Sequence, residues 1–170
     1  MRALFQHGLF IVALALPVSA TAQEPAVTVG ENGTVEARMT LDASESSIRD
    51  VLDDIAGELA ALSPDVLSVA VVNDGKCQEV SRRTRGLLRP FRLKSLRCPT
   101  ASGWHESLIE SRDFSAYSTD WSVIETSDGT EVIYTIETDL YIFPRPLVTR
   151  TVVQSAKGQL MELARKVVRK

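Results

Sequence analysis

From Val66 to Ile142 the chain is a nearly unbroken series of extended segments cut by turn residues, and only one long amphipathic segment follows to cover them. Strands read over 66–72, 77–84, 91–98, 103–110, 114–125 and 130–142, with turn chemistry at Asn73-Asp74-Gly75, Ser111-Arg112-Asp113 and Ser127-Asp128-Gly129. Connections this short join antiparallel neighbours, so the six strands form one meandering sheet. A sheet with one apolar face must bury it. The partner on offer is the stripe Val148, Val152, Ala156, Leu160, Leu163 and Val167, a helix of about six turns. Pro144 and Pro146 punctuate its start, and Arg165, Lys166, Arg169 and Lys170 suit its negative pole. Gly158, in the middle, costs about 1 kcal/mol relative to alanine. Either it lets the sheet approach closely or it is simply tolerated.

Upstream, Val27-Thr28-Val29 and the turn Glu31-Asn32-Gly33-Thr34 lead into alternating Val35, Ala37, Met39 and Leu41. This predicts a first strand entered through a tight Asn-Gly turn, with Glu36, Arg38 and Thr40 on its wet face. Ser44 can cap a helix carrying Ile48, Val51, Leu52, Ile55 and Leu59 on one stripe. Gly57 predicts a break into a second short helix before Ser63-Pro64.

Residues 1–22 read differently. Arg2, the apolar run from Leu9 to Leu16, Pro17 and the closing Ala20-Thr21-Ala22 have the pattern of a cleavable secretion signal. The apolar run is far shorter than the roughly 20 residues a membrane span needs. The expected mature chain is 23–170, one domain, periplasmic or secreted, with no cysteine at its start for a lipid anchor. Loss of Arg2 leaves 18 Lys/Arg against 22 Asp/Glu, a formal charge of −4, which argues against a nucleic-acid partner. Cys77 and Cys98 are the two cysteines. They lie equidistant from the centre of the hairpin tip Gly86-Leu87-Leu88-Arg89-Pro90, so the hairpin register sets them opposite each other. In an oxidising compartment that favours a disulfide over free thiols or metal ligands. A bridge closing about 22 residues contributes ~3 kcal/mol.

The order of strand, broken helix, six antiparallel strands and long C-terminal helix resembles the START-like helix-grip fold of the SRPBCC superfamily, which includes the polyketide cyclase, birch-pollen-allergen and coenzyme Q-binding families. Ala43-Ser44-Glu45-Ser46-Ser47-Ile48 and Val51-Leu52-Asp53-Asp54 occupy the family's first-helix pattern, and Ser63-Pro64-Asp65-Val66 its lead into the next strand. Asp113-Phe114, Trp121, Asp128-Gly129-Thr130, Tyr134 and Pro144 follow the order of its last two strands and the start of its helix. Arg49 and Ile55 stand where the family commonly has a tryptophan and an aromatic. The resemblance implies an α+β fold: a curved antiparallel sheet of about six to seven strands wrapped on the C-terminal helix, with an apolar cavity between them. Candidates for that cavity are Phe91, Leu93, Trp104, Trp121, Tyr134, Tyr141, Val148 and Val152. The alternative is that these side chains simply fill a core, as large aromatics commonly do.

Lys76 to Arg97 holds eight basic residues against one glutamate. Arg82, Arg83, Arg85, Arg89 and Arg92, around the apolar Leu87 and Leu88, read either as a charged edge that resists strand pairing or as a contact for anionic lipid headgroups or an envelope partner. No phosphate loop, metal spacing or nucleophile motif is present, so neither metal nor cofactor is expected. His105 lies between Trp104 and Glu106 on a strand, where alternation keeps the three from converging. The resulting expectation is an exported START-like protein binding a hydrophobic small molecule or lipid without chemistry. Its rivals are a cyclase- or dehydratase-type enzyme using Glu106 and Tyr134, and an interaction module docking through the basic hairpin.

Overall fold

The computed structural model describes residues 24–54, 65–85 and 89–168. The leader, the second short helix expected over 55–64, the hairpin tip with Leu87 and Leu88, and the terminal Arg169 and Lys170 lie outside the described residues. Eight strands form one antiparallel sheet: β1 (Ala26–Val29), β2 (Val35–Leu41), β3 (Val66–Asp74), β4 (Cys77–Thr84), β5 (Phe91–Pro99), β6 (Gly103–Ser111), β7 (Phe114–Thr126) and β8 (Gly129–Leu140). Helix α1 spans Glu45–Asp53, and the C-terminal helix, α2, spans Arg145–Val168.

The expected first strand is a hairpin of two. Val27-Thr28-Val29 pairs antiparallel with Glu36 and its neighbours across the Asn-Gly turn, where Gly33 takes φ of 85°. That raises the sheet from the six or seven strands expected to eight. Its order is β1-β2-β8-β7-β6-β5-β4-β3, so the meander from β3 to β8 is intact and β2 closes on its last strand.

Side-chain alternation turns one face inward. Val35, Ala37, Met39 and Leu41 of β2, Trp121 and Val123 of β7, and Val132, Tyr134 and Ile136 of β8 are all buried. They meet Ile48, Val51 and Leu52 of α1 and Val148, Val152, Ala156, Leu160, Leu163, Ala164 and Val167 of α2. Ser44 caps α1, its hydroxyl accepting from the Ser47 backbone N–H at 3.3 Å. Register shifts at Val66/Ser68, Lys94/Ser95 and Phe114/Ala116 bend the strands, as bulges do. At Gly103 a Cβ would lie 2.0 Å from the Trp121 carbonyl oxygen, so only glycine allows β6 to start this close to β7. Gly158 is the opposite case. A Cβ there meets nothing within 4 Å, so it is tolerated and brings no strand close.

Eight strands spaced about 4.8 Å apart make a sheet roughly 34 Å wide, whereas a helix with its side chains is about 10–12 Å across. Helix α2 packs on β2, β8 and α1. It therefore covers one side of the concave face, and among the described residues no helix packs extensively on the inner face of β3–β5.

Cys77 and Cys98 form the expected disulfide, with Cα atoms 4.3 Å apart. The β4–β5 register runs Gln78↔Arg97 to Thr84↔Phe91, which places the two cysteines directly opposite. The bridge clamps the open end of the hairpin on the convex face. Replacing both cysteines by serine is expected to lower the free energy of unfolding by about 3 kcal/mol, measured by chemical denaturation, and dithiothreitol should lower the wild type equally.

Candidate functional site

Between the first half of α2 and the β4–β5 side of the sheet lies a cavity of about 790 Å³. Its apolar walls come from Phe91, Leu93, Phe114, Tyr117, Ile136 and Leu140 of the strands, and from Phe143, Leu147, Val148 and Val152 at the start of α2. Phe91 stands edge-on to Phe114 and Phe143, with ring centroids 5.7 and 6.3 Å away. The exposed members of the lining, among them Asp65, Arg85, Leu147 and Arg150, mark the mouth. Arg145 anchors this end of α2 to β8. Its Nε and Nη2 donate to the two Asp139 carboxylate oxygens at 3.1 and 2.7 Å. Those hydrogen bonds hold the Asp139 carboxyl below its ordinary pKa. The clasp therefore adds stability above the ordinary carboxylate pKa, and that stability is lost as pH falls through the lower folded value.

Of the eight cavity candidates, Phe91, Leu93, Tyr134, Val148 and Val152 line the hollow. Three stand elsewhere. Trp121 faces inward but packs into the core, its ring stacked on Tyr134 at 4.2 Å. Trp104 lies opposite Trp121, beside the end of α1; its Nε1 donates to Asp53 at 2.9 Å and its face carries the Arg97 guanidinium at 4.5 Å. Tyr141 is 66% exposed, because β8 stops at Leu140 and the chain turns outward before α2.

The arginine-rich hairpin splits in two. Arg83 and Arg92 face each other across β4 and β5 and are exposed, as is Arg85. Arg89 reaches Asp113, whose carboxylate is fully buried and also accepts from the Arg92 backbone N–H at 3.1 Å. Arg82 corrects the surface expectation. It shares the inward face with Val80, and only 9% of its side chain is exposed. Its guanidinium pairs with the buried Glu106 carboxylate, and Nη2 lies 3.4 Å from the Ser95 hydroxyl. It also sits 5.2 Å over the Tyr117 ring and forms part of the cavity wall. Arg97 is buried on the same face and donates to the Leu52 carbonyl at 2.7 Å, tying β5 to α1. A register argument would have found both. If Cys77 and Cys98 share one face, then 82 and 97 lie on the other, with Val80 and Leu93.

The catalytic candidates also separate. Glu106 is held by Arg82 and by the Ser95 hydroxyl, which donates to its carboxylate. His105 points to the convex face, where Nδ1 lies 2.7 Å from Asp120 and both side chains are about half exposed. Among the described residues no cluster of His, Cys, Asp or Glu could hold a metal ion, and no helix is long and apolar enough to cross a membrane.

Neither protein-family models nor curated proteins match this sequence. Solved structures do match in shape. A START superfamily protein from Mycobacterium smegmatis superposes with a TM-score of 0.68 at 14% identity, covering 80% of this chain and 97% of its own. The Zhui aromatase/cyclase from Streptomyces sp. R1128 gives 0.70 at 16% identity, covering 80% and 93%. A STAR-related lipid transfer protein from Xanthomonas axonopodis gives 0.60 at 15% identity, covering 85% and 99%. The fold is START-like.

The Arg82–Glu106 pair makes a sharp energetic demand. Arg82→Met alone strands a buried carboxylate and should cost about 3–5 kcal/mol. Combining it with Glu106→Leu should return most of that loss in a denaturation cycle. Additive losses would show that the two groups are not coupled.

Proposed function

We propose that this START-like protein is an exported carrier that holds a hydrophobic small molecule or lipid between α2 and the β4–β5 side of the sheet, without transforming it. The observation that carries the reading is the cavity itself. At about 790 Å³ it falls within the roughly 300–1,000 Å³ of small-molecule sites, and twelve apolar or aromatic side chains line it beside polar ones. Against the apolar part of the wall an apolar occupant gains about 25 cal/mol for each Å² it buries.

Two of the structural neighbours carry names that frame the choice, one a lipid transfer protein and one an aromatase/cyclase. The carrier reading is favoured by the state of the acid. The Glu106 carboxylate is engaged by Arg82 and Ser95 and does not line the cavity, which leaves it poorly placed to take a proton from a ligand. Export is supported by the Cys77–Cys98 bridge, a feature that persists in oxidising compartments.

The mouth favours an anionic surface as the place of exchange. Exposed Arg85 and Arg150 flank it, and exposed Leu147 stands beside them. Anionic lipid headgroups at this rim would gain about 1 kcal/mol per basic residue they meet.

Native mass spectrometry of protein purified from the envelope, with organic extraction, should show a co-purifying apolar molecule released on unfolding. A protein that is empty and takes up no apolar probe would overturn the carrier reading. In co-sedimentation with vesicles containing phosphatidylserine, Arg85→Glu with Arg150→Glu should weaken binding at least tenfold, by about 1 kcal/mol per charge removed or more. Binding that ignores both salt and this variant would remove the surface from the account.

A further inference from the structure

In the cavity wall, two polar groups have no hydrogen-bond partner among the described residues. They are the Arg82 Nε–H and the Thr138 hydroxyl, both buried. A third such atom, Gln78 Oε1, does not belong to the lining. Tyr117 joins the two sites. Thr138 is its direct partner across β7 and β8, and the Arg82 guanidinium lies 5.2 Å over its ring. Buried polar groups are normally satisfied, and leaving one unpaired is costly. Two unpaired groups flanking one aromatic ring in the wall call for a polar atom from the occupant.

Both groups can donate, so the missing atom is an acceptor. Its charge follows from Glu106. That carboxylate already balances the Arg82 cation, and the Ser95 hydroxyl donates to it. A second carboxylate here would be a buried anion in excess, which is expensive. The rim arginines Arg85 and Arg150 are exposed, and solvent screens them from a group at the wall.

We propose that the ligand is a hydrophobe bearing an uncharged oxygen acceptor, a ketone or ester carbonyl, which docks between Arg82 and Thr138 over Tyr117. This rests on the carrier reading of the same cavity. It narrows that reading from any apolar molecule to a carbonyl-bearing one.

A matched set of probes tests it by equilibrium dialysis: 2-acetylnaphthalene, its hydrocarbon isostere 2-isopropylnaphthalene, and 2-naphthoate. The ketone should bind about tenfold more tightly than the hydrocarbon, the worth of one well-made buried hydrogen bond. It should also bind more tightly than the carboxylate. Thr138→Val keeps the side chain's shape, and Arg82→Lys keeps the charge facing Glu106 while removing the Nε–H. Each should erase most of the ketone's advantage over the hydrocarbon measured on the same variant, with thermal unfolding confirming that both variants fold. Equal binding of ketone and hydrocarbon would overturn this inference and leave the carrier reading standing. Tighter binding of the naphthoate would overturn the uncharged acceptor. If none of the three binds, both readings fall.

Discussion

One helix cannot cover a sheet of eight strands. From that mismatch of widths follow the curl of the sheet, the division of α2 into two halves and the hollow between them. The second half of α2, from Ala156 to Val167, is packed against β2, β8 and α1 with almost no exposed apolar surface. The first half, Leu147 to Gly158, is the far wall of the cavity. The inner face of β4–β6 carries charged groups, Arg82, Arg97 and Glu106, each with a partner there.

Those buried charges define how the protein tolerates its own cavity. Isolated, each would be costly to bury; paired and hydrogen-bonded, the penalty is largely offset. The arrangement also positions the wall. Arg82 connects β4 to Glu106 on β6, and Arg97 connects β5 to the end of α1. Asp113 gathers Arg89 and the Arg92 backbone at the lip. Polar links thus hold the side of the sheet that apolar packing against α2 does not reach.

Much of this architecture was legible in the residues. The β3–β8 meander, the capped first helix and the α2 stripe follow from turn chemistry and periodicity, because each lies on one dominant face. The Cys77–Cys98 pairing followed from symmetry about a tip. What escaped had physical reasons. The short strand Ala26–Val29 has only four residues and buries little, so alternation could not distinguish it from a lead-in. Arg82 read as surface because arginine usually is, and only the hairpin's face parity reveals otherwise. Trp104 and Trp121 face inward as expected, but toward the end of the sheet that α1 fills. Nothing in the spacing of residues along a strand records which end of a sheet a helix will occupy.

The central claim is that the space between α2 and the β4–β5 side is open to an apolar guest, and xenon reports on it most directly. Crystals of the protein pressurised with xenon should show a xenon peak in contact with Leu93 and Val152, since apolar cavities take up the gas. A map with no xenon there, and with the Phe91, Phe143 and Leu147 side chains closing the gap, would contradict the account.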